Sequence, residues 1–498
     1  MAFWRWSFGC SSKKMKNKST RVFLLASLLL LPFMVSQQSL WIDEAQTASY
    51  ATCPSLLDWA EKFLADTKSE GMMPLPMFLA WIFAQGIGTT EIALRLPNLI
   101  YLGLAIYLLW RVGCKISIPF LPLLFAVSPF VWQYADEARP YALQIGLGTA
   151  LLTSSIYLIQ SDGKSRKAWL LFFGCGWLLS ATSLMAVFLW CLAFIAITLL
   201  WRKENWQLEL RHYAVISLCL ILFIPLAAFY FWALQKGASG AKIWSVGLQN
   251  LAFAGYEFFG FQGLGPGRTD IREAARLSGG LTTIFKPYLL PIFLLALAWL
   301  CFFASGWPQK NQKRHHGAWL FVLFTFFGTL FVILTASYIV EFPFWGRHLS
   351  PLIPFFLLIM AIWFSNSTHQ KLTRISILVT SLLLLISSLC LRFSPRFAKD
   401  DYRTAAQIAK SGLEDRKTIW WAADSAAANY YRLEFSEKVI NVTGLSAEEL
   451  HSLPTPDIVL VSKKDIYDPQ SAVSLFLSER SYATSYASAF SIYKKSAF

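Results

Sequence analysis

Long apolar runs recur along the chain, and they constrain its fold more than any other feature. A membrane-spanning helix needs about 20 mostly apolar residues to cross the hydrocarbon core of a bilayer. Such runs occur near residues 22–40, 96–110, 116–134, 141–159, 168–183, 185–201, 213–235, 287–304, 317–338, 350–365 and 372–391. The sequence therefore predicts a polytopic α-helical membrane protein with about eleven transmembrane helices and further juxtamembrane helices.

The composition bears on which partners such a chain has. Hydrophobic residues make up 56% of the 498 residues and charged residues only 15%, which is outside the usual range of soluble proteins. The formal net charge of +15 would also fit a nucleic-acid-binding protein. In a membrane protein, however, Lys and Arg collect in cytoplasmic loops and set the orientation. We therefore expect the lipid bilayer, and no nucleic acid, as a partner.

The apolar stretch at residues 74–88 decides the predicted topology. If it does not cross, the basic connections at 111–115, 164–167, 202–211, 310–314 and 371–374 all lie on the side of the basic N-terminus. The positive-inside rule favours this arrangement. We therefore predict a juxtamembrane element at 74–88, a cytoplasmic N-terminus over residues 1–21 and a transmembrane domain over 22–391.

The predicted topology places several connections on the opposite, outer face. They span residues 41–95, 135–140, 236–286 and 339–350, and the chain after about residue 392 also emerges there. This tail mixes short apolar runs, such as TIWWAA, KVINVT and DIVLVS, with helical stretches such as DDYRTAAQIAK and SAEELHSL. Alternating strand and helix signals predict a small extracytoplasmic α/β domain over residues 392–498.

Two acidic pairs fall on the outer face. Asp43 and Glu44 follow the first apolar run, and Asp136 and Glu137 follow the third, with Tyr141 shortly after. Carboxylates at a membrane boundary lose hydration, so they are rare unless they bind, catalyse or pair. We expect the two pairs to share one polar site. The alternative is that they are interfacial charges, the second pair being neutralised locally by Arg139.

Cations on the outer face are candidates for binding an anion. Arg347 and His348 lie in the aromatic stretch WGRHLSP, and the guanidinium fork of arginine suits phosphate oxygens. An interfacial anchor beside Trp345 is the alternative. Lys286, before the span at 287–304, is a second candidate, with snorkelling as its alternative. The glycine-rich stretch of the 236–286 connection predicts a lid that contributes Arg268, or else a simple connector.

Four short stretches together resemble the bacterial branch of the GT-C glycosyltransferases. These integral membrane enzymes include relatives of protein O-mannosyltransferases and of the aminoarabinose transferase that acts on lipid A. The stretches are WIDEA at 41–45, E-x-A-L-R-L-P at Glu91–Pro97, Y-x-x-E-A-R-P-Y-A-L at Tyr134–Leu143 and R-H-L-x-P-L-x-P at Arg347–Pro354. The stretch GMMPLP, from Gly71, departs from the His-Pro-Pro-like stretch of many relatives.

The resemblance implies a reaction and a set of roles. Such enzymes transfer a sugar from a polyprenyl-phosphate donor to a lipid, glycan or protein acceptor on the outer face, which implies a location in the cytoplasmic membrane of a bacterium. The acid of the first outer loop, here Asp43 with Glu44 beside it, is the general base or positions the acceptor. The second motif supplies Asp136, Glu137 and Arg139. No cofactor is required, although the paired acids would suit a divalent cation.

Two other classes of function compete with an enzyme. A transporter or flippase of lipid-linked glycans also needs many spans and cationic sites, but transporters place ionisable residues near the bilayer midplane at broken helices. Here the acids lie at the predicted outer boundary, and the spans are nearly free of charge. This favours glycosyl transfer over transport. A catalytically inactive scaffold is the third alternative.

Overall fold

A computed structural model describes the chain over residues 18–237, 247–274, 280–305, 316–340, 345–365, 370–487 and 490–495. Most of the predicted basic N-terminus lies outside the described residues, as do parts of the predicted outer connections at 236–286 and 339–350.

The described chain is mostly helical, with a small sheet near its C-terminal end. The helices are α1 (Lys18–Leu30), α2 (Ile42–Ala51), α3 (Leu56–Ala65), α4 (Pro74–Ile87), α5 (Glu91–Ile116), α6 (Leu121–Ala126), α7 (Pro129–Ala135), α8 (Tyr141–Gln160), α9 (Arg166–Ser180), α10 (Leu184–Lys203), α11 (Leu210–Gln235), α12 (Leu248–Phe258), α13 (Arg268–Ala274), α14 (Gly280–Phe285), α15 (Leu289–Ser305), α16 (His316–Val340), α17 (Ile353–Ser365), α18 (Gln370–Phe393), α19 (Tyr402–Glu414), α20 (Ser425–Tyr430), α21 (Ala447–Ser452), α22 (Lys464–Tyr467) and α23 (Ala472–Ser478). The strands are β1 (Ile419–Ala422), β2 (Val439–Asn441), β3 (Ile458–Ser462), β4 (Tyr482–Ala487) and β5 (Phe490–Lys495).

Eight helical segments of the described chain are long and apolar enough to cross a membrane. They are Glu91–Ile116, Tyr141–Gln160, Leu184–Lys203, His212–Gln235, Gly280–Ser305, Gly317–Val340, Gly346–Trp363 and Lys371–Phe393. Thr20–Met34 and Pro74–Ile87 form shorter apolar helices. The prediction of a helical, multi-pass membrane protein is confirmed, whereas the number of full-length spans among the described residues is lower than the predicted eleven or so.

The apolar run at 116–134 is the clearest difference from the prediction, because it does not form one spanning helix. It divides into the short helices α6 and α7, which are separated at Val127 and Ser128. Ser128 is extended, with φ −70° and ψ 121°, and Pro129 opens α7. Proline disfavours the helical conformation of the residue before it, so the helix is interrupted there. Both short helices are largely buried in the apolar core.

The C-terminal segment forms the predicted α/β structure around a five-stranded sheet in the order β2-β1-β3-β5-β4. β1 pairs in parallel with β2 and β3, and the β4–β5 hairpin adds to β3 in antiparallel orientation. Successive side chains point to opposite faces of a strand. Trp421 accordingly packs with Tyr402 and Phe490 on one face, and Trp420 packs with Phe476 on the other.

The chain divides into two compact units. The first, which we call the membrane unit, contains Met1–Val35, Ala60–Leu79 and Arg95–Ser394. The second, which we call the tail unit, contains Ser36–Trp59, Ala80–Leu94 and Pro395–Phe498. The tail unit thus includes the segment that carries the first acidic pair as well as the α/β segment.

Candidate functional site

The first acidic pair lies in the first turn of α2, within the tail unit. Acidic side chains are favoured there because the N-terminus of a helix carries a partial positive charge. Glu44 is completely buried, and its carboxylate is 3.0 Å from Lys399 Nζ. The backbone N–H of Trp41 also donates to Glu44 Oε2, at 3.4 Å. Asp43 is half-buried. The two adjacent acids therefore occupy different environments.

The second acidic pair lies in the turn between α7 and α8, within the membrane unit. Asp136 and Glu137 are both buried. The side-chain amide of Asn98, from α5, donates to the carbonyl oxygens of Ala135 at 3.0 Å and of Glu137 at 2.7 Å. The backbone N–H of Arg139 donates to the Glu137 carbonyl at 2.8 Å. These bonds fix the backbone of the turn that presents the acids.

Charged partners of this turn, one acidic and one basic, come from distant parts of the membrane unit. Arg139 forms a buried ion pair with Glu70, at 2.6 Å between Nη1 and Oε1. Ser69 Oγ donates to the other carboxylate oxygen of Glu70 at 3.0 Å. Asp136 lies 3.6 Å from the guanidinium of Arg392, at the end of α18. Glu70, from the predicted 41–95 connection, is thus the ion-pair partner that the structure shows for Arg139.

A second buried cluster surrounds Arg268, which the sequence predicts to bind substrate. Arg268 Nη2 donates to Glu257 Oε1 at 2.6 Å and to the hydroxyl of Tyr134 at 2.9 Å. Glu257 is completely buried. Burial opposes the charge of Arg268, but the carboxylates of Glu257 and Glu137 favour it, and the net effect raises the pKa of Arg268 well above its usual value. The cluster therefore keeps a permanent cation beside the second acidic motif.

Two other parts of the predicted site, Tyr141 and the stretch that begins at Gly346, contact the same cluster. Tyr141 is buried, and its ring centroid is 5.0 Å from that of Tyr134. Gly346, which directly precedes Arg347, lies against the Glu257 carboxylate, and a Cβ at this position would collide with it. Any side chain at this position would therefore require the Glu257 carboxylate to shift.

The remaining predicted cations have different surroundings. Arg347 and His348 are half-buried in the 3₁₀ turn Gly346–Leu352. His348 Nδ1 accepts a hydrogen bond from the backbone N–H of Trp345 at 3.2 Å. Lys286 is exposed in the turn Lys286–Tyr288, and among the described residues the structure shows no ion pair that joins it to the clusters above.

Several residues of these clusters are missed by sequence reasoning. They are Glu70, Asn98, Glu257, Arg392 and Lys399. Glu257 and Asn98 could have been predicted, since a polar or charged residue within an apolar stretch needs a buried partner.

Within the part of the chain that the structure describes, no group of three or more His, Cys, Asp or Glu side chains could hold a metal ion.

Comparison with known proteins identifies distant structural relatives only. No protein-family model and no curated protein matches the chain. The crystal structure of ArnT from Cupriavidus metallidurans bound to undecaprenyl phosphate has a TM-score of 0.49 and 13% identity, covering 95% of this chain and 97% of that chain. The archaeal oligosaccharyltransferase AglB from Archaeoglobus fulgidus, in complex with an inhibitory peptide and a dolichol-phosphate, has a TM-score of 0.45 and 10% identity, covering 97% and 75%.

A third similar structure is that of the arabinofuranosyltransferase AftD from Mycobacteria, with a TM-score of 0.44 and 12% identity, covering 96% of this chain and 40% of that chain. Each of these three solved structures covers at least 95% of this chain. At such low identities and TM-scores, the similarity assigns no residue role and no substrate to this chain.

Proposed function

We propose that this protein is a membrane glycosyltransferase that moves a sugar from a polyprenyl-phosphate donor to a hydroxyl-bearing acceptor, a lipid, glycan or protein, on the extracytoplasmic face. One observation carries the proposal. Connections that the sequence predicts to lie on one face contribute Glu70 and Arg139, which are buried, and Arg268 and Gly346, which contact the buried Glu257, to adjoining charged clusters of the membrane unit. Buried charges are costly, so a protein retains them where they have a use.

The proposed reaction has simple requirements. The acceptor oxygen bonds to the anomeric carbon, the bond from that carbon to the phosphate oxygen breaks, and the polyprenyl phosphate leaves with the bonding electrons. A carboxylate within hydrogen-bond reach takes the hydroxyl proton, and this role falls to Asp43. The transition state has oxocarbenium character, which carboxylates stabilise, and the leaving phosphate needs a cation. Asp136 and Glu137 are the candidates for stabilising the oxocarbenium character, and Arg268 or Arg347 is the candidate cation for the leaving phosphate.

The test is direct transfer by the purified protein in detergent. Radiolabelled polyprenyl-phosphate sugars are offered with lipid, glycan and protein acceptors, and the product is separated from the donor. We expect label to move to one acceptor class and polyprenyl phosphate to be released in equal amount. Movement of intact donor across proteoliposomes, without release of the phosphate carrier, would instead support a transporter or flippase and contradict the proposal.

We expect Arg268→Lys to weaken use of the donor. Lysine keeps the positive charge but loses the planar fork that matches phosphate oxygens. Because a hydrogen bond to a charged group is worth roughly 1.5–3 kcal/mol, the donor KM should rise about tenfold to a hundredfold. The measurement is the donor KM at saturating acceptor. Tyr134→Phe is the matched control, since it removes a neutral partner of Arg268 and keeps the guanidinium. If Tyr134→Phe raises the donor KM as much as Arg268→Lys does, phosphate binding by Arg268 is contradicted.

We also expect transfer to survive removal of divalent cations. Electrostatic stabilisation of the leaving phosphate by arginine would make a metal unnecessary. Activity is measured after treatment with a chelator and again after adding back Mg²⁺ or Mn²⁺. Complete loss of transfer that one of these ions restores would contradict the expectation and indicate that the paired acids hold a metal.

A further inference from the structure

Within the tail unit, an ion pair joins the C-terminal segment to the first acidic motif. Lys399 Nζ lies 3.0 Å from Glu44 Oε2, although the two residues are 355 positions apart. Glu44 is completely buried, and the Lys399 side chain is 14% exposed. A buried carboxylate is tolerated only when a paired charge or hydrogen bonds compensate it. Lys399 therefore supplies a cation that Glu44 needs.

The chain that leads into α2 is also fixed by the C-terminal segment. The backbone N–H of Leu40 donates to the hydroxyl of Tyr431 at 2.9 Å, and this hydroxyl donates to Glu91 Oε1 at 3.1 Å. Burial raises the pKa of Tyr431 to about 12, so the hydroxyl keeps its proton at neutral pH. Arg403 donates to the same Glu91 oxygen at 2.9 Å. The start of the helix that carries both acids is thus held at several points.

A second lysine contacts the aromatic residue of the motif. Lys463 Nζ lies 5.0 Å from the centre of the Trp41 ring, within the range of a cation–π contact. The same ammonium is 2.9 Å from Asp400, the neighbour of Lys399 in the chain. Lys463 directly follows β3 and has a φ of 35°, in the left-handed region. A non-glycine residue in this conformation is uncommon and is retained where the surroundings require it.

We infer that the C-terminal segment holds the first acidic motif in place within the tail unit, with Lys399 acting as the positioning residue of that motif. Lys399 fixes the Glu44 carboxylate, and through it the first turn of α2, where Asp43 serves the acceptor. The two adjacent acids thereby have separate tasks, Glu44 in holding the helix and Asp43 in taking the proton. This inference rests on the proposed glycosyl transfer and adds a role for the segment after residue 395.

The test compares Lys399→Met with Lys399→Arg in the full-length protein. We expect Lys399→Met to lower kcat about tenfold to a hundredfold, the effect of a small displacement of a reacting group, with the donor KM unchanged. Lys399→Arg, which keeps the charge, should retain most of the activity. Lys417→Met is the matched control, because Lys417 belongs to the same segment but forms an exposed ion pair with Asp415. Its kcat should equal that of the wild type.

A double variant separates positioning from a general loss of structure. Once Glu44→Gln has removed the buried charge, Lys399→Met should lower kcat by no more than about threefold further, because the two changes remove the same interaction. Additive losses, or a Lys399→Met variant with the kcat of the wild type, would overturn the inference while leaving the proposed function intact. A wild-type protein that transfers no sugar would contradict the proposed function itself and this inference with it.

Discussion

Asp43→Asn should lower the rate of transfer at least about a hundredfold, the contribution usual for a positioned general base. Asparagine has nearly the same shape but cannot accept the hydroxyl proton, so the change isolates the proton transfer. A hundredfold loss corresponds to about 2.7 kcal/mol of activation free energy. The measurement is kcat with radiolabelled donor at saturating acceptor, and the loss should fall on kcat rather than on the donor KM.

The matched control for this variant is Asp58→Asn. Asp58 lies in the first turn of α3, in the same predicted outer connection, but it is exposed and bonds to Ser55. Its substitution should leave kcat unchanged. Glu44→Gln provides a second comparison, since it keeps the Asp43 carboxylate but removes the buried charge proposed to hold the first turn of α2. If Asp43→Asn transfers sugar as fast as the wild type, Asp43 is not the base.

Arg139→Met should strongly destabilise the membrane unit. The change leaves Glu70 as a buried carboxylate without the cation that lies 2.6 Å from it. Removing one partner of a buried ion pair costs roughly 3–5 kcal/mol, because the remaining charge is no longer compensated. Methionine keeps much of the apolar volume, so packing contributes little to the loss. The measurement is thermal unfolding in detergent, followed by intrinsic fluorescence.

The double variant Glu70→Gln with Arg139→Met tests the cause of this destabilisation. Neutralising both partners removes the uncompensated charge, so the double variant should be more stable than Arg139→Met alone. Lys417→Met again serves as the control, because an exposed ion pair contributes only about 0.2–1 kcal/mol. A melting temperature of Arg139→Met equal to that of Lys417→Met would show that the buried pair does not stabilise the unit.

Local sequence patterns predict most of the secondary structure. The apolar runs from residue 141 onwards become helices, and TIWWAA, KVINVT and DIVLVS become β1, β2 and β3. The stretch DDYRTAAQIAK covers most of α19, which continues to Glu414, and SAEELHSL contains α21. These elements follow the sequence closely because their hydrogen bonds and periodic apolar faces arise from neighbouring residues. The resemblance to GT-C glycosyltransferases likewise comes from short local motifs.

Hydropathy alone is a poorer guide where helices are interrupted. It treats 116–134 as one continuous run, whereas Pro129 and the extended Ser128 separate α6 from α7. The stretch at 74–88 becomes the single helix α4, whose 14 residues rise about 21 Å, less than the thickness of the hydrocarbon core. The juxtamembrane position of α4 is still a prediction. Such breaks are caused by backbone restrictions at single residues, such as the residue before a proline. Hydropathy averaged over a window of residues does not detect them.

The sequence by itself determined the helical membrane character of the protein and the α/β nature of its tail, and it drew attention to both acidic pairs. Only the tertiary structure decided the partners of those charges, namely Lys399 for Glu44, Glu70 for Arg139, Arg392 for Asp136 and Glu257 for Arg268. Helices and strands depend on residues close in the chain, but an ion pair depends on where the chain returns in space. Because Lys399 and Glu44 are 355 positions apart, no local pattern could have paired them.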